Sequence, residues 1–279
     1  MLDNKTIKKI EQFVYAKPRS IQEISRLIHK SWRTADRYVD TIKKELGTIE
    51  TRTFREGTRG ALKIVYWASV EKISSSVFQE MLENQILSMR KKEDFSAFDI
   101  FQHISDKNKK VSLEEAKNEA STNLKEFAEI LEKTQKQLLV FSGNLSFINL
   151  KNKEIHIFKT IEKLVKKGIS IKVICRVDVA GEKNVEKMLS LNFKYGRELI
   201  NIRHREQPLR AVVADKKMFR IKEIKEPTGK LHELKKKLFI FYTIKDNDWA
   251  QWLSRLFWKM FSSSIDANKR LAEIRKLRQ

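Results

Sequence analysis

One cysteine, three prolines and eight glycines are all that 279 residues contain of these types. A single thiol, Cys175, excludes an intrachain disulfide and a cysteine-rich zinc site, and its setting in IKVIC marks it as a small core residue. Scarce proline and glycine predict long regular elements with few flexible linkers. No apolar run approaches the roughly 20 residues that span a bilayer, and the opening MLDNKTIKKI is too polar for a secretory signal. A soluble, cytoplasmic protein with no membrane partner is therefore expected. Negative charge is in the minority too: 36 Asp and Glu stand against 58 Lys and Arg, a net of +22. A polyanionic partner follows, although charge alone does not separate nucleic acid from an acidic membrane. With 41% hydrophobic residues, the chain can build one large or two modest cores.

What is present is clearest between Ser20 and Trp67. Ser20 is placed to cap a short helix carrying Ile21, Ile24, Leu27 and Ile28 on one face, and Ser31 to cap a second after a brief turn. On the second helix Ala35, Val39, Ile42 and Leu46 follow the helical period as a buried stripe. Arg33, Thr34, Arg37, Thr41 and Lys44 fall on the outward side. Gly47 ends the helix, and Thr48–Arg55 and Ala61–Trp67 read as a hairpin around GTRG, with Arg52, Arg55, Arg59 and Lys63 on or near its tip. A first helix over Lys5–Tyr15 completes a winged helix-turn-helix at residues 1–68, which hold 15 Lys and Arg against 8 Asp and Glu. The second helix then enters the major groove of double-stranded DNA, its arginines facing guanine edges, while the hairpin arginines meet phosphates. The alternative is a protein-docking module with a solvated basic face; the concentration of charge favours DNA.

Residues 69–137 read as a helical linker or dimerisation region. Val70, Ile73, Val77, Met81 and Leu82 form a stripe running to about Met89, fitted either to a second copy of the chain or to the protein's own body. FSAFDIFQHI (95–104) is aromatic but has no assignable partner. Ser112 with Glu115 has the form of a capping box, which predicts a helix from Ser112 to about Gln137 with Leu113, Ala116, Ala120, Leu124, Phe127 and Leu131 inward.

Residues 138–279 alternate strands and helices, the signature of an α/β domain with a mixed sheet. Strands are expected at Leu138–Phe141, Ile169–Cys175, Leu199–Ile202, Ala211–Ala214 and Leu238–Thr243, with a hairpin turn at Asp215–Lys217 leading into MFRIKE. Helices are expected at Glu154–Lys167, Glu182–Ser190 and Asp248–Phe261, the last richer in apolar residues than one domain face needs and so a candidate interface. The tail, with Lys269, Arg270, Arg275, Lys276 and Arg278 on an amphipathic helix, adds either a phosphate contact or a solvated face.

The succession LLVFSGNLSF, KLVKKGISIKVICR, LINIRHR, PLRAVVADKK and RLFWKMF resembles one repeat of the phospholipase D-like fold. Behind a winged helix it is similar to the archaeal TrmB-like transcriptional regulators. The catalytic members of that superfamily carry His-x-Lys-x4-Asp, with histidine as nucleophile. Arg210 and Asp215 have the spacing of the lysine and aspartate, but Pro208 occupies the nucleophile position, and Lys222 and Glu223 stand where Gly-Ser is expected. None of the five histidines is followed two residues on by Lys or Arg. The resemblance thus implies a non-enzymatic, homodimeric scaffold needing neither metal nor cofactor. Arg210 and Asp215 are either a retained structural ion pair or, through Arg210, a hold for a small anionic effector. The expected function is a dimeric, sequence-specific regulator of transcription. Against it stand a diverged nuclease or phosphodiesterase and a protein that coats DNA without sequence preference.

Overall fold

A computed structural model describes residues 2–55, 61–68, 75–115, 123–227 and 236–277. The head opens with α1 (Asn4–Ala16), followed by the two-residue β1 (Arg19–Ser20), α2 (Ile21–Leu27) and α3 (Trp32–Glu45). Both predicted caps form: Ser20 and Glu23 make a reciprocal capping box on α2, and the Ser31 side chain accepts from Thr34 N on α3. Gly47 adopts a positive φ of 66° just past α3, where a residue with a Cβ would be strained. β2 (Ile49–Arg55) and β3 (Ala61–Trp67) pair antiparallel and, with β1, make a three-stranded sheet in the order β1-β3-β2. Ile10, Val14, Ile21, Ile24, Val39, Ile42, Ile49 and Val65 form the head's own core. Leu46, expected inside, is half exposed because it caps α3 and the chain turns away there.

The body is built on one eight-stranded mixed sheet. In chain order its elements are α4 (Ser75–Ser88), α5 (Phe98–Phe101), β4 (Lys109–Glu115), α6 (Leu124–Glu132), β5 (Gln137–Phe141), α7 (Ile157–Lys166), β6 (Ser170–Cys175) and α8 (Glu182–Tyr195). There follow β7 (Ile200–His204), β8 (Ala211–Ala214), β9 (Met218–Lys225), β10 (Leu238–Ile244), α9 (Asn247–Ser262), β11 (Ile265–Asp266) and α10 (Ala267–Lys276). The strand order is β11-β7-β6-β5-β8-β9-β10-β4, with β5, β6 and β7 parallel and the remaining pairings antiparallel. Helices α6, α7, α8 and α10 cover one face through Leu131, Ile161, Leu164, Met188 and Leu271. Helix α9 covers the other with Trp252, Leu256, Phe257 and Met260. Cys175 lies fully buried in the first of these cores, and burial pushes its thiol up to about 12, which keeps it protonated and unreactive.

Three sequence expectations are corrected. The segment from Ser112 is not the start of a helix: Lys109–Glu115 is β4, the sheet's edge strand, with Leu113 opposite Ile240. A full partner strand outweighs a local capping signal, and the helix of this region begins only at Leu124. The middle region is therefore not purely helical, since β4 extends the body's sheet. The apolar surplus of α9 is used within the chain, where its residues pack with Phe98, Phe101 and Phe141. As for α4, Leu82 and Ile86 turn into the body's core while Val77 and Met81 remain 49% and 47% exposed. Arg59, Val70, Ile73, Ala116, Ala120 and Arg278 lie outside the described residues, as does the side chain of Arg55.

Head and body meet over an apolar and a charged contact. Phe54, Leu62 and Ile64 alternate onto the hairpin face turned away from the head's core and enter the body's core beside Phe98, Phe101 and Tyr242. The aromatic segment at 95–104 is thus the seam between the two. Nearby, Lys225 Nζ on β9 donates to Glu23 Oε2 on α2 at 3.0 Å and lies 3.0 Å from Glu223 Oε1. Glu223 also accepts from Ser96 Oγ and from the backbone N of Ala97, both at 3.2 Å. Arg26 donates to the carbonyl of Pro227 at 3.3 Å, and Lys17 to that of Glu93.

Candidate nucleic-acid interface and the cleft behind it

Helix α3 presents its basic face to solvent. Ser31 fixes its first turn through Thr34, whose hydroxyl lies 2.9 Å from Ser31 Oγ. Arg33, Arg37 and Lys44 are exposed, and Thr41 Oγ1 donates to the Arg37 carbonyl at 2.9 Å. Among the described residues none of the three cations is in an ion pair, so their charge is unspent. Besides the exposed Glu45, two acids share the shallow trough that these residues line, Asp36 and Asp40. Each is matched by Lys63 on β3, at 2.8 and 2.7 Å.

That pairing corrects the expectation for Lys63. It reaches across to α3 and offsets part of the negative charge of two carboxylates that would otherwise repel a phosphate. Burial alone would lower its pKa, but the hydrogen bonds and charges of Asp36 and Asp40 outweigh burial and raise it. Arg52 is corrected as well. It alternates onto the body-facing side of β2, 5.3 Å over the Phe101 ring and 3.4 Å from Asp106. Neither side chain extends freely from the hairpin: Lys63 is tied to α3 and Arg52 to Asp106.

The second site is in the body. Arg210 and Asp215, paired by spacing in sequence, sit at opposite ends of β8 and form no ion pair with each other. Asp215 accepts from the backbone N of Gln135, Lys136 and Gln137 at 2.8, 2.7 and 3.0 Å, tying the turn after β8 to the start of β5. Its left-handed φ of 51° belongs to that turn. Arg210 instead lines a cleft of about 660 Å³ at the C-terminal ends of β5 and β6. Its Nη1 donates to the carbonyls of Gln207 and Leu209 at 3.2 and 2.7 Å. The rest of the guanidinium lies against Gly143, where a Cβ would come within 3.1 Å of Nη2. Burial, then the charge of Arg176, lowers the Arg210 pKa.

Along the same wall are two residues that sequence reasoning did not select, Arg220 and Lys222 on β9. Their spacing of two in MFRIKE was the available signal: alternate cations in a strand share a face, and Phe219 and Ile221 take the core on the other. Pro208, which stands where the sequence resemblance would place a nucleophile, bears no nucleophilic atom. His204 does not line the cleft, and its Nδ1 accepts from Val177 N at 2.9 Å. Among the described residues no His, Cys, Asp or Glu cluster suits a metal, and no helix is long and apolar enough to cross a membrane.

No family model and no curated protein matches the sequence. Among solved structures the chain is similar to Nuc, a phospholipase D family member from Salmonella typhimurium, with a TM-score of 0.40 and 10% identity over 57% of this chain and 97% of that one. It is similar to NucT from Helicobacter pylori, with a TM-score of 0.39 and 11% identity over 57% and 99%. TrmBL2, an archaeal chromatin protein whose structure shows a novel mode of DNA binding, is matched with a TM-score of 0.41 and 12% identity over 95% of this chain and 94% of that one.

Proposed function

We propose that the protein binds double-stranded DNA through α3 and regulates transcription as a homodimer, its α/β body serving as a non-catalytic scaffold of phospholipase D-like type. The observation that carries the reading is the outward face of α3: Arg33, Arg37 and Lys44 exposed and unpaired among the described residues, with Lys63 offsetting part of the charge of the neighbouring Asp36 and Asp40. A helix so presented fits the major groove, where arginine pairs with guanine. Arg33→Ala and Arg37→Ala should each weaken binding to a selected duplex by about 1–3 kcal/mol while changing random-sequence binding less. Titration of labelled duplexes at fixed salt measures this. Equal losses on every duplex would favour a DNA-coating protein, and no loss on any would remove α3 as the interface.

The scaffold reading rests on Pro208. A phosphodiesterase of this type needs an attacking imidazole, and a prolyl ring offers no lone pair and no proton. We expect no hydrolysis of a chromogenic phosphodiester or of plasmid DNA by purified protein, with or without divalent metal. Turnover abolished by His204→Ala would overturn the scaffold assignment. The dimer is supported by Val77 and Met81, exposed one turn apart on α4, which offer an apolar strip to a second copy. Light scattering of the full chain at tens of micromolar gives its mass directly.

A further inference from the structure

The body's cleft contains a charge arrangement that its own residues leave unbalanced. β8 and β9 are antiparallel with Ala211 opposite Ile221, which places Arg210 directly opposite Lys222, and Lys222 N donates to the Arg210 carbonyl at 2.8 Å. Arg220 follows two residues along on the same face. Like charges directly opposite across strands destabilise a sheet, and more so when they are shielded from water. Arg220 is 4% exposed, and its Nε and Nη2 make no hydrogen bond among the described residues. Its compensation is one contact of 3.4 Å to Glu126, the charge of Glu114, one bond of 3.3 Å to the Asn123 carbonyl and the Phe241 ring at 4.4 Å. Lys222 Nζ lies 3.5 Å over the Phe239 ring and has no ion pair among the described residues.

Other charges around the cleft do not resolve the imbalance. Arg176 is held by Asp178 at 2.7 Å, Arg205 by Ser263 Oγ at 3.0 Å, and Lys237 by Glu226 at 3.3 Å. Among the described lining residues the acids are Glu93 and Glu206, against Arg90, Lys91 and Lys92 as well as the cations already named. Burial drives Lys222 down to about 8; Glu114 pulls the other way, and Lys237, Lys92 and Arg220 add to the depression. A cation row of this kind, with Arg220 buried and Arg210 and Lys222 half-buried, is stabilised by an anion, and guanidinium groups suit the oxygens of phosphate in particular.

We propose that the cleft binds a phosphate-bearing small molecule of nucleotide size, its phosphates lying along Arg210, Lys222 and Arg220. Size and shape argue for more than a lone ion. The volume of about 660 Å³ is in the range of sites for drug-sized ligands, and one phosphate does not fill it. Three cations spread along two neighbouring strands match a chain of phosphates better than a single one. The half-buried Phe147 and the buried Phe127 edge provide an apolar end against which the organic part can rest. This site is independent of α3 and of whether the protein reads DNA sequence.

Calorimetric titration of the full chain with ATP, pyrophosphate, inorganic phosphate and adenosine tests the proposal, using wild type, Lys222→Met, Arg210→Gln and, as control, Arg33→Ala. ATP and pyrophosphate are expected to bind, inorganic phosphate to bind more weakly and adenosine to give no heat alone. Lys222→Met and Arg210→Gln should each weaken ATP at least about ten-fold, since each removes a charged contact, while Arg33→Ala leaves it unchanged. The ligand-free Lys222→Met protein should melt no lower than wild type, because the substitution relieves a repulsion; this separates lost binding from lost folding. No ATP or pyrophosphate binding at millimolar concentration would overturn the proposal. So would ATP binding that survives both cleft variants or falls in Arg33→Ala, since the anion would then sit on the general basic surface.

Discussion

Lys225→Ala should lower stability by about 3–5 kcal/mol, the cost of leaving the buried Glu223 and the half-buried Glu23 without their partner. Lys225 is 9% exposed and joins Glu23 of the head to Glu223 of the body, each at 3.0 Å. Its removal leaves two acids facing each other across the seam with the half-buried Asp99 nearby. Burial opposes charge on Lys225, yet Glu223 and Glu23 outweigh it and hold the ammonium above its ordinary range. Glu23 tells the same story from the other side. Burial raises its pKa, but the charge of Lys225 and the hydrogen bonds from Ser20 and Lys225 bring it down to about 2. Its folded value is thus below its unfolded one, so its contribution is fully present above about pH 4.3 and is lost as pH falls towards 2. Asp99 runs the opposite way. Burial, then the charge of Glu223, holds its pKa well above normal, so acid first relieves a penalty there. Urea midpoints measured from pH 7 to pH 2.5 should hold or rise slightly on the first steps and fall below pH 4. In Lys225→Ala the fall should begin at higher pH, because Glu23 loses the charge that depresses it. An unchanged midpoint at pH 7 would mean that head and body do not share this ion pair in solution.

The head was legible in sequence because its signals are local. Ser20, Ser31 and Gly47 act within one turn of themselves, and the buried positions of α3 follow from period alone, except at Leu46 where the helix stops. The parallel strands β5 and β6 were equally clear as short apolar runs buried on both faces. What sequence hid was pairing at a distance. KKVSLEE has polar residues on alternate sites and a cap-like Ser112, and only the 109–115 to 238–244 register makes it a strand. The same holds for the two hairpin cations. Alternation placed Arg52 and Lys63 on opposite faces, but a reader expects one face of a wing to be wet, and here the second is covered by a domain whose contact residues are tens to hundreds of positions away. In the body, Arg210 and Asp215 matched a motif by spacing, while the strand between them separates their side chains.

That covered hairpin face gives a second large effect. Phe54→Ala should cost about 3–5 kcal/mol, the range for deleting a buried aromatic side chain whose surroundings cannot close over the gap. Phe54 is 8% exposed, and its ring meets those of Phe98, Phe101 and Tyr242 edge-on at 6.0, 5.9 and 6.4 Å. None of these partners is in the head. Were the head free of the body, Phe54 would stand on an exposed hairpin face, and the substitution would change stability by no more than about 0.5 kcal/mol. Urea unfolding followed by tryptophan fluorescence therefore separates the docked from the free arrangement by the size of a single shift. Docking also sets what the hairpin can do on DNA. With Phe54 and Arg52 both turned into the seam, Arg52→Ala should leave duplex affinity and its salt slope unchanged, whereas a wing phosphate contact would flatten that slope by about one unit. A flattened slope in Arg52→Ala, together with a small loss in Phe54→Ala, would show that the head lifts off the body to bind; the expected pair of results makes α3 reach the groove from a head held in place.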